Sequence, residues 1–387
     1  MRLNLHDKLQ AAQKQGALPS VTAYNRIDGP GSSLDLREFQ QTFWSLPQVP
    51  KNLAADPSAA WTQGLPRTVG ITIDVGTRVE ARPFKRGLIA VRSYDYKTRI
   101  VGEPGRIPAT RKNWLLKIVD ILGLSGVEFA LRNTHPGLTS CGLGGSATAT
   151  TAVCILANEL ASRPLGPTQL IALASRIEQD LGVSITGTQE QSNVVFGGVT
   201  DYVWFPWGIP GRPDTGYGHS VRYQLIPEKD YPELEQRMAI FHTGHTRAST
   251  DVNAVWTKKL ASKQGYALHQ HKLELAYRFR EALRRRDWEA AIGATEEYRQ
   301  VRTRLCPEYL VGAHEMLQVA KRFGGTVFPL GAGGGGAVLL LAPKDKALQG
   351  IRAALSEAHR QILVKLRSRG CDCENLRKAG YQANNTS

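Results

Sequence analysis

The segment Cys141-Gly-Leu-Gly-Gly-Ser-Ala147 has three glycines directly before a run that predicts a helix to about Leu160. Glycines leave backbone N–H groups uncovered and tolerate positive φ angles. The helix adds its own free N–H groups and the positive end of its dipole. The stretch therefore predicts a loop that cradles phosphate, and the alternative is a glycine turn that serves only close packing.

A second glycine cluster, Gly331-Ala-Gly-Gly-Gly-Gly336, lies between two short apolar runs that predict paired strands at 326–330 and 337–341. Five glycines in six residues are costly in chain entropy. A hairpin turn accounts for one or two of them, but not for five. We therefore expect the backbone of this cluster to approach another group closely.

Three common nucleotide-binding motifs are absent from the sequence. There is no GxxxxGK[ST] loop and no GxGxxG after a first strand. The protein-kinase set of glycine loop, HRD and DFG is also missing. A phosphate site in this chain must therefore belong to another class.

The composition is that of a globular protein. The 387 residues are enough for two cores, and 42% are hydrophobic while 21% are charged. No apolar run approaches the roughly 18 residues of a membrane span, and the first residues lack a secretory pattern. The five cysteines have neither disulfide-scaffold nor zinc spacing, so we expect free thiols and a cytoplasmic location.

The net charge of +15 favours anionic partners, namely nucleic acid, acidic membrane or phosphorylated metabolites. The densest basic run, Arg278–Arg286, has a helical pattern with acidic residues mixed in. A solvated helix face is the expected explanation. Nucleic acid is not an expected partner, because no binding motif accompanies the charge.

The order of predicted elements favours an α+β fold over a doubly wound sheet, because strands come early and do not alternate regularly with helices. A turn-rich stretch at 206–218 marks the break between two halves. The predicted domains are 20–215 and 216–370, followed by a polar tail at 371–387. Strands are predicted at 21–27, 69–74, 78–83, 88–94, 127–132 and 238–243. Helices are predicted at 113–122, from the Cys141–Ser146 loop to about 160, at 168–181 and at 346–367, with two more between 275 and 298.

Three stretches in this order resemble the three motifs of the GHMP kinases. They are Asn25–Asp35 (NRIDGPGSSLD), Pro136–Ala147 (PGLTSCGLGGSA) and Leu330–Gly336 (LGAGGGG), and the likeness spans about residues 20–360. Within that superfamily the chain resembles sugar kinases related to D-glycero-D-manno-heptose 7-phosphate kinase, through Phe241–Arg247 and Thr186–Gln191. The resemblance implies a ribosomal protein S5 domain 2-like N-terminal ATP-binding domain and a ferredoxin-like C-terminal domain.

The resemblance also implies a site for ATP and Mg²⁺. Ser146 and Glu178 correspond to the family's magnesium ligands, and Glu178 precedes Glu190 by the family's twelve residues. Gly145 stands where the family has a first serine, which removes one phosphate hydrogen bond worth about 1 kcal/mol. The implied ATP-binding residues are Gly142, Leu143, Gly144, Gly145, Ser146, Ala147, Gly333, Gly334 and Gly335.

For catalysis the resemblance points to Glu190, where the family has an aspartate, and to Arg26 near the transferred phosphoryl group. Ser32 replaces a glutamate of galactokinases, which makes galactose a doubtful acceptor. The implied acceptor-binding residues are Asp35, Ser32, Thr243, Gly244 and Arg247.

Together these features predict a kinase that transfers the γ-phosphoryl group of ATP to a hydroxyl, expected to be anomeric, of a heptose, heptose phosphate or related sugar. A cyclitol or other polyol as acceptor is one alternative. The other is a non-catalytic basic protein that binds nucleic acid. The sequence leaves a homodimer open and does not define the oligomeric state.

Overall fold

The computed structural model of the chain describes residues 2–44, 64–138, 141–161, 164–205, 219–245 and 249–379. In this part of the chain two main β-sheets each pack against helices. Strands and helices do not alternate regularly along the chain, so the predicted α+β fold is confirmed.

The strands of the described residues fall into one large sheet, one smaller sheet and one short pair. In chain order they are β1 (Leu3–Asn4), β2 (Ser20–Asp28), β3 (Arg67–Pro83), β4 (Ile89–Ser93), β5 (Thr98–Gly102), β6 (Leu124–Ser125), β7 (Val127–Asn133), β8 (Val199–Phe205), β9 (His219–Ile226), β10 (Met238–His242), β11 (Thr326–Pro329), β12 (Ala337–Leu341), β13 (Gln361–Ile362) and β14 (Cys371–Glu374).

The helices of the described residues lie mainly between β7 and β8 and between β10 and β11. They are α1 (His6–Lys14), α2 (Arg37–Trp44), α3 (Trp114–Ile121), α4 (Gly145–Leu160), α5 (Pro167–Asp180), α6 (Gln189–Phe196), α7 (Tyr231–Glu235), α8 (Ser249–Leu260), α9 (Lys263–Arg285), α10 (Trp288–Leu305), α11 (His314–Arg322) and α12 (Asp345–Leu355).

The large sheet has the order β14-β2-β3-β7-β4-β5, and β8 and β9 branch from the first half of β3. The two strands predicted at 69–74 and 78–83 are one continuous strand, β3, which pairs first with β8 and then with β7. Between the pairs Tyr24–Gly76 and Arg26–Thr72 the β3 chain holds two more residues than β2. Such a bulge re-aims nearby side chains, and here it lies beside Arg26.

Helix α4 packs on β2 and β3 and is buried on almost every face. Its sequence is rich in Ala, Thr, Val, Ile and Leu, so it offers apolar or small side chains all round, as a buried helix must. The predicted end of α4 at about Leu160 is confirmed, and the bounds of α5 differ by one residue at each end. The N-terminus of α4 is thereby fixed in the middle of the molecule.

The smaller sheet has the order β11-β12-β10-β13, with antiparallel pairing throughout. The predicted pairing of β11 with β12 around the second glycine cluster is confirmed. The helix predicted at 346–367 is wrong in its second half, because α12 ends at Leu355 and β13 follows. The short β13 pairs with β10, an interaction that local sequence does not reveal.

Two strands lie outside their predicted domains. Strand β9, placed in the second domain by the sequence, pairs with β8 of the large sheet. Strand β14, predicted as the start of a polar tail, pairs with β2 on the same sheet. Both corrections have one physical cause, since strand pairing joins segments that are distant in sequence and is not encoded in local composition.

The basic run Arg278–Arg286 is only partly a solvated face. Arg278 pairs with Glu297 on the surface, at 2.8 Å from Nη1 to Oε2. Arg280, however, is fully buried and its Nε lies 3.3 Å from Oδ2 of Asp201. Among the described residues, none of the helices combines length with enough apolar character to cross a membrane.

Candidate active site

A cavity of about 1270 Å³ opens where the two glycine clusters face β2 and α6. It is larger than the roughly 300–1,000 Å³ of typical ligand pockets, so it has room for a nucleotide and a second small molecule. Most of the predicted site residues line it, although they come from distant parts of the sequence. These are Arg26, Ser32, Asp35, Gly142, Leu143, Gly144, Gly145, Ser146, Ala147, Glu190 and Gly335.

The first glycine loop enters α4 through Gly144, which caps the helix in the left-handed conformation with φ of 76°. A Cβ at this position would lie 3.0 Å from Cγ of Glu190, so glycine is required by the backbone angle and by the close approach. At Gly145 a Cβ would meet nothing within 4 Å, because this residue faces the open cavity. The α4 N-terminus therefore presents uncovered backbone to the cavity, as an anion site requires.

The second glycine loop packs directly on the first. The Ala337 N–H donates to the Cys141 carbonyl at 2.6 Å, and a Cβ on Gly336 would lie 2.6 Å from the same oxygen. The expected close backbone approach is thus made to the first glycine loop. This contact joins the large sheet's side of the cavity to the smaller sheet's side.

Ser146 and Glu178 form a hydrogen-bonded pair at the base of the first glycine loop. The Ser146 hydroxyl donates to Oε1 of Glu178 at 2.7 Å, and the Gln191 amide donates to Oε2 at 3.0 Å. Glu178 is fully buried on α5, and burial, followed by the nearby Glu190 charge, raises its pKa to about 7. A positive charge near this carboxylate would therefore be favourable.

Arg26 and Glu190 both line the cavity and form a direct ion pair through Nη2 and Oε1. Nη1 of Arg26 also lies 3.3 Å from Oδ1 of Asp28. Burial disfavours the charged guanidinium, but Asp28 and Glu190 outweigh it and raise the pKa of Arg26. The Arg26 side chain is 3% exposed and the Glu190 side chain is 18% exposed, so a molecule in the cavity can reach the Glu190 carboxylate more easily than the Arg26 guanidinium.

Asp35 is held at the end of the first motif by the start of α6. Its Oδ2 accepts the Gln189 N–H at 3.0 Å, and a side chain on Gly187 would overlap it. Burial, and then the charge of Glu190, raise the pKa of Asp35 to about 7 although Arg26 opposes the shift. Asp35 lines the cavity with two oxygens that can accept hydroxyl hydrogen bonds.

Five predicted site residues in the described part of the chain are not on the cavity wall, and one of them is Glu178, which is buried and bound to Ser146. Gly333 and Gly334 lean on Tyr309, whose carbonyl accepts the Gly334 N–H at 2.8 Å. The Thr243 hydroxyl donates to the Gly336 carbonyl at 2.9 Å and so supports the second glycine loop, and Gly244 follows it on the exposed side. The prediction for Arg247 falls outside the described residues.

Two further groups of cavity residues were not predicted. Val91, Ile100 and Leu115 form an apolar part of the wall, with Trp114 donating from Nε1 to Thr150 at 3.0 Å. Ser184, Thr186 and Asn253 add polar groups elsewhere on the wall. Only the helical spacing around Trp114 could have pointed to the apolar group, whereas the polar residues lie in segments without a distinctive pattern.

In the parts of the chain that the structure describes, no group of three or more His, Cys, Asp or Glu side chains could hold a metal ion. The pair of Ser146 and Glu178 nevertheless offers a hydroxyl and a carboxylate, which are the hard oxygen donors that Mg²⁺ prefers. Magnesium usually retains waters and takes its remaining ligands from substrate phosphates. The donor set therefore fits a magnesium ion that arrives with a nucleotide.

Residues 112–198 match the family model described as the GHMP kinases N terminal domain. This segment contains the first glycine loop together with Glu178 and Glu190. None of the curated protein sequences matches the chain.

Solved structures of three kinases are similar to this chain over nearly its full length. A D-glycero-D-manno-heptose 1-phosphate kinase from Bacteriodes thetaiotaomicron has 16% identity and a TM-score of 0.65, covering 92% of this chain and 98% of that chain. Lactococcus lactis galactokinase complexed with galactose has 15% identity and a TM-score of 0.63, covering 95% and 98%. Streptococcus pneumoniae phosphomevalonate kinase in complex with phosphomevalonate and AMPPNP has 11% identity and a TM-score of 0.63, covering 90% and 99%.

Likeness at such low identity shows the fold, and the fold is that of the GHMP kinases. The predicted fold is therefore confirmed. The particular acceptor and the roles of individual residues do not follow from the fold.

Proposed function

We propose that the chain is an ATP-dependent sugar kinase that transfers the γ-phosphoryl group to a hydroxyl of a heptose, heptose phosphate or related sugar. One observation carries this proposal: two glycine loops from different parts of the chain meet in a single cavity opposite the Arg26–Glu190 ion pair. Phosphoryl transfer depends chiefly on positioning and on neutralising charge, and both requirements suit this arrangement.

The nucleotide would bind with its phosphates on the first glycine loop. The uncovered N–H groups at the start of α4 and the helix dipole favour the phosphate charge. The apolar wall around Val91, Ile100 and Leu115 is suited to the base. Two findings support ATP as the donor, namely the matching family model and the AMPPNP in the similar phosphomevalonate kinase complex.

Ser146 and Glu178 are the residues that would hold Mg²⁺. When bound, the ion would supply positive charge that neutralises the phosphate oxygens. Glu178 is buried beside a hydroxyl and an amide, which fixes its orientation before any ligand arrives. That preorganisation favours a defined position for the nucleotide phosphates.

Glu190 would accept the proton of the acceptor hydroxyl, and Arg26 would hold that carboxylate in place while its charge faces the transferring group. Asp35 would bind a second hydroxyl of the same sugar through its two acceptor oxygens. A sugar presents several adjacent hydroxyls, so it can satisfy both carboxylates at once. This pairing of carboxylates is the reason for preferring a sugar or other polyol to a monohydroxyl acceptor.

The proposal is tested by ADP formation from ATP and Mg²⁺ with a panel of acceptors. The panel contains D-glycero-D-manno-heptose 7-phosphate, unphosphorylated heptose, galactose and myo-inositol, with no acceptor as the control. We expect ADP and phosphorylated acceptor in equal amounts for a heptose, and slow turnover of galactose. A product only with myo-inositol would replace the sugar by a cyclitol.

The competing class, a nucleic-acid-binding protein, makes the opposite forecast. It requires tight, salt-sensitive binding of DNA or RNA, no binding of AMPPNP and no acceptor-dependent ADP formation. That combination of results would overturn the proposed kinase.

A further inference from the structure

Arg302 is a buried arginine of α10 that none of the preceding roles uses. It is 0% exposed and lies between the rings of Trp256 and Tyr309, with its guanidinium carbon 4.4 Å from each ring centroid. Among the described residues it forms no ion pair with a carboxylate, and its Nε makes no hydrogen bond. A buried charge without a counter-charge is costly, so the groups that bind this guanidinium indicate why the arginine is there.

The guanidinium binds the backbone of the second glycine loop. Nη1 donates to the Gly331 carbonyl at 3.3 Å, and Nη2 donates to the Ala332 carbonyl at 3.4 Å. Because a peptide unit is planar and trans, its N–H points away from its C=O. The Ala332 N–H is therefore directed away from Arg302, in a segment where Gly331 and Ala332 line the cavity.

The same guanidinium also binds the first motif. Nη1 lies 3.1 Å from Oγ of Ser32, and Nη2 lies 3.5 Å from Oγ of Ser33. Ser33 has φ of 73°, a conformation that a residue with a side chain rarely adopts and that its surroundings must enforce. Arg302 thus holds two loops that face the cavity from different segments of the chain.

The two loops are joined to the Arg26–Glu190 pair through Gly331. The Gly331 N–H donates to Oδ1 of Asp28 at 3.2 Å, and the same oxygen accepts Nη1 of Arg26. Gly331 is therefore fixed at its N–H by Asp28 and at its C=O by Arg302. A continuous hydrogen-bonded path runs from Glu190 to the loops that Arg302 holds.

We propose that Arg302 is a positioning residue for phosphoryl transfer, whose forked guanidinium fixes the second glycine loop relative to Ser32 and Ser33. This inference rests on the proposed function, because it assigns the two loops to the donor and acceptor sides of one reaction. The planar fork is essential, since a lysine ammonium is a point charge that cannot bind four oxygens spread over two loops. Displacing reacting groups by about 1 Å costs about 10²-fold in rate.

The test compares the wild type with Arg302→Lys, Arg302→Gln and Arg299→Gln. Arg299 is the matched control, because it is a nearly buried arginine on the same helix that pairs with Glu296 through Nε at 3.0 Å. Hydrogen exchange is measured with and without AMPPNP and Mg²⁺, and kcat and KM are measured with ATP and the active acceptor of the panel. Arg302→Lys keeps the positive charge, so it remains informative if Arg302→Gln fails to fold.

For Arg302→Lys we expect kcat to fall about 10²-fold while the KM for ATP changes less than about threefold. AMPPNP should still protect residues 141–147 but no longer protect 330–337, and Arg299→Gln should behave as the wild type. Overturning results are a kcat within twofold of the wild type, or equal protection of 330–337 in Arg302→Lys and the control. If AMPPNP protects neither loop in the wild type, the proposed function itself fails and takes the role of Arg302 with it.

Discussion

Replacing Glu190 by glutamine would remove the carboxylate that faces the cavity and keep almost the same shape. Glu190 is 18% exposed and pairs with the buried Arg26. The change leaves the first glycine loop, with Ser146 and Glu178, chemically intact. The substitution therefore tests the proposed proton acceptor without altering the proposed nucleotide site.

The expected loss of kcat follows from the usual contribution of a general base and from how little phosphoryl transfer depends on one. A positioned general base contributes about 10²–10⁴-fold to rate, and phosphoryl transfer lies toward the low end because it depends little on base assistance. We expect kcat to fall about 10²–10³-fold, which corresponds to about 3–4 kcal/mol. Arg26 retains Asp28 at 3.3 Å, so the stability cost should stay below the roughly 3–5 kcal/mol of stranding a buried charge.

The assay is single-turnover phosphoryl transfer together with AMPPNP titration by calorimetry. Affinity for AMPPNP should not fall, because Glu190 is an anion and its removal lowers repulsion of the phosphates. Glu357→Gln, an exposed change far along the chain, is the control. A transfer rate within twofold of the wild type, or a tenfold loss of AMPPNP affinity with normal transfer, would refute the role given to Glu190.

Three further changes test the other parts of the site. Gly145→Ser should tighten AMPPNP binding about fivefold, because a Cβ at this position meets nothing within 4 Å and one added hydrogen bond is worth about 1 kcal/mol. Weaker binding in calorimetry would contradict this prediction. Glu178→Gln should raise the Mg²⁺ concentration for half-maximal activity about tenfold at fixed ATP, and an unchanged Mg²⁺ titration would remove it as a ligand. Because the pKa of Asp35 is raised to about 7, kcat/KM for the acceptor should decrease as the pH is lowered below about 7. In Asp35→Asn, kcat/KM should be low and independent of pH across that range. The Asp35 carboxyl binds its proton more tightly in the folded state than in the unfolded state, so the stability due to Asp35 is lost as pH rises through about 7. Asp35→Asn should therefore have a higher melting temperature than the wild type at pH 8. A lower melting temperature would contradict the raised pKa.

The parts of the site that could be predicted are those carried by local sequence. The glycines before α4 define a helix start, and the helix follows from a continuous run of small and apolar residues. The resemblance to the GHMP kinases, and not local spacing, placed Glu178 and Glu190 near that loop, where the structure has them. Local signals therefore predicted the first glycine loop and its helix, whereas the two carboxylates came from the resemblance.

The parts that could not be predicted depend on contacts between distant segments. Arg302 and Arg304 look alike in sequence, and yet Arg304 is exposed while the position of α10 against Trp256 and Tyr309 makes Arg302 buried. Gly333 and Gly334 belong to a glycine cluster, but Tyr309 decides that they lean away from the cavity. Composition identifies such residues as basic or flexible and does not give their partners.

The large sheet cannot be completed until strand β14 (residues 371–374) has been synthesised. Its pairing partner β2 (residues 20–28) leaves the ribosome some 350 residues earlier. A nascent or prematurely terminated chain would thus carry β2 with one row of peptide groups unpaired, and such an edge invites pairing with other chains. Truncation before Cys371 should therefore produce aggregation during expression rather than a shorter, well-folded protein.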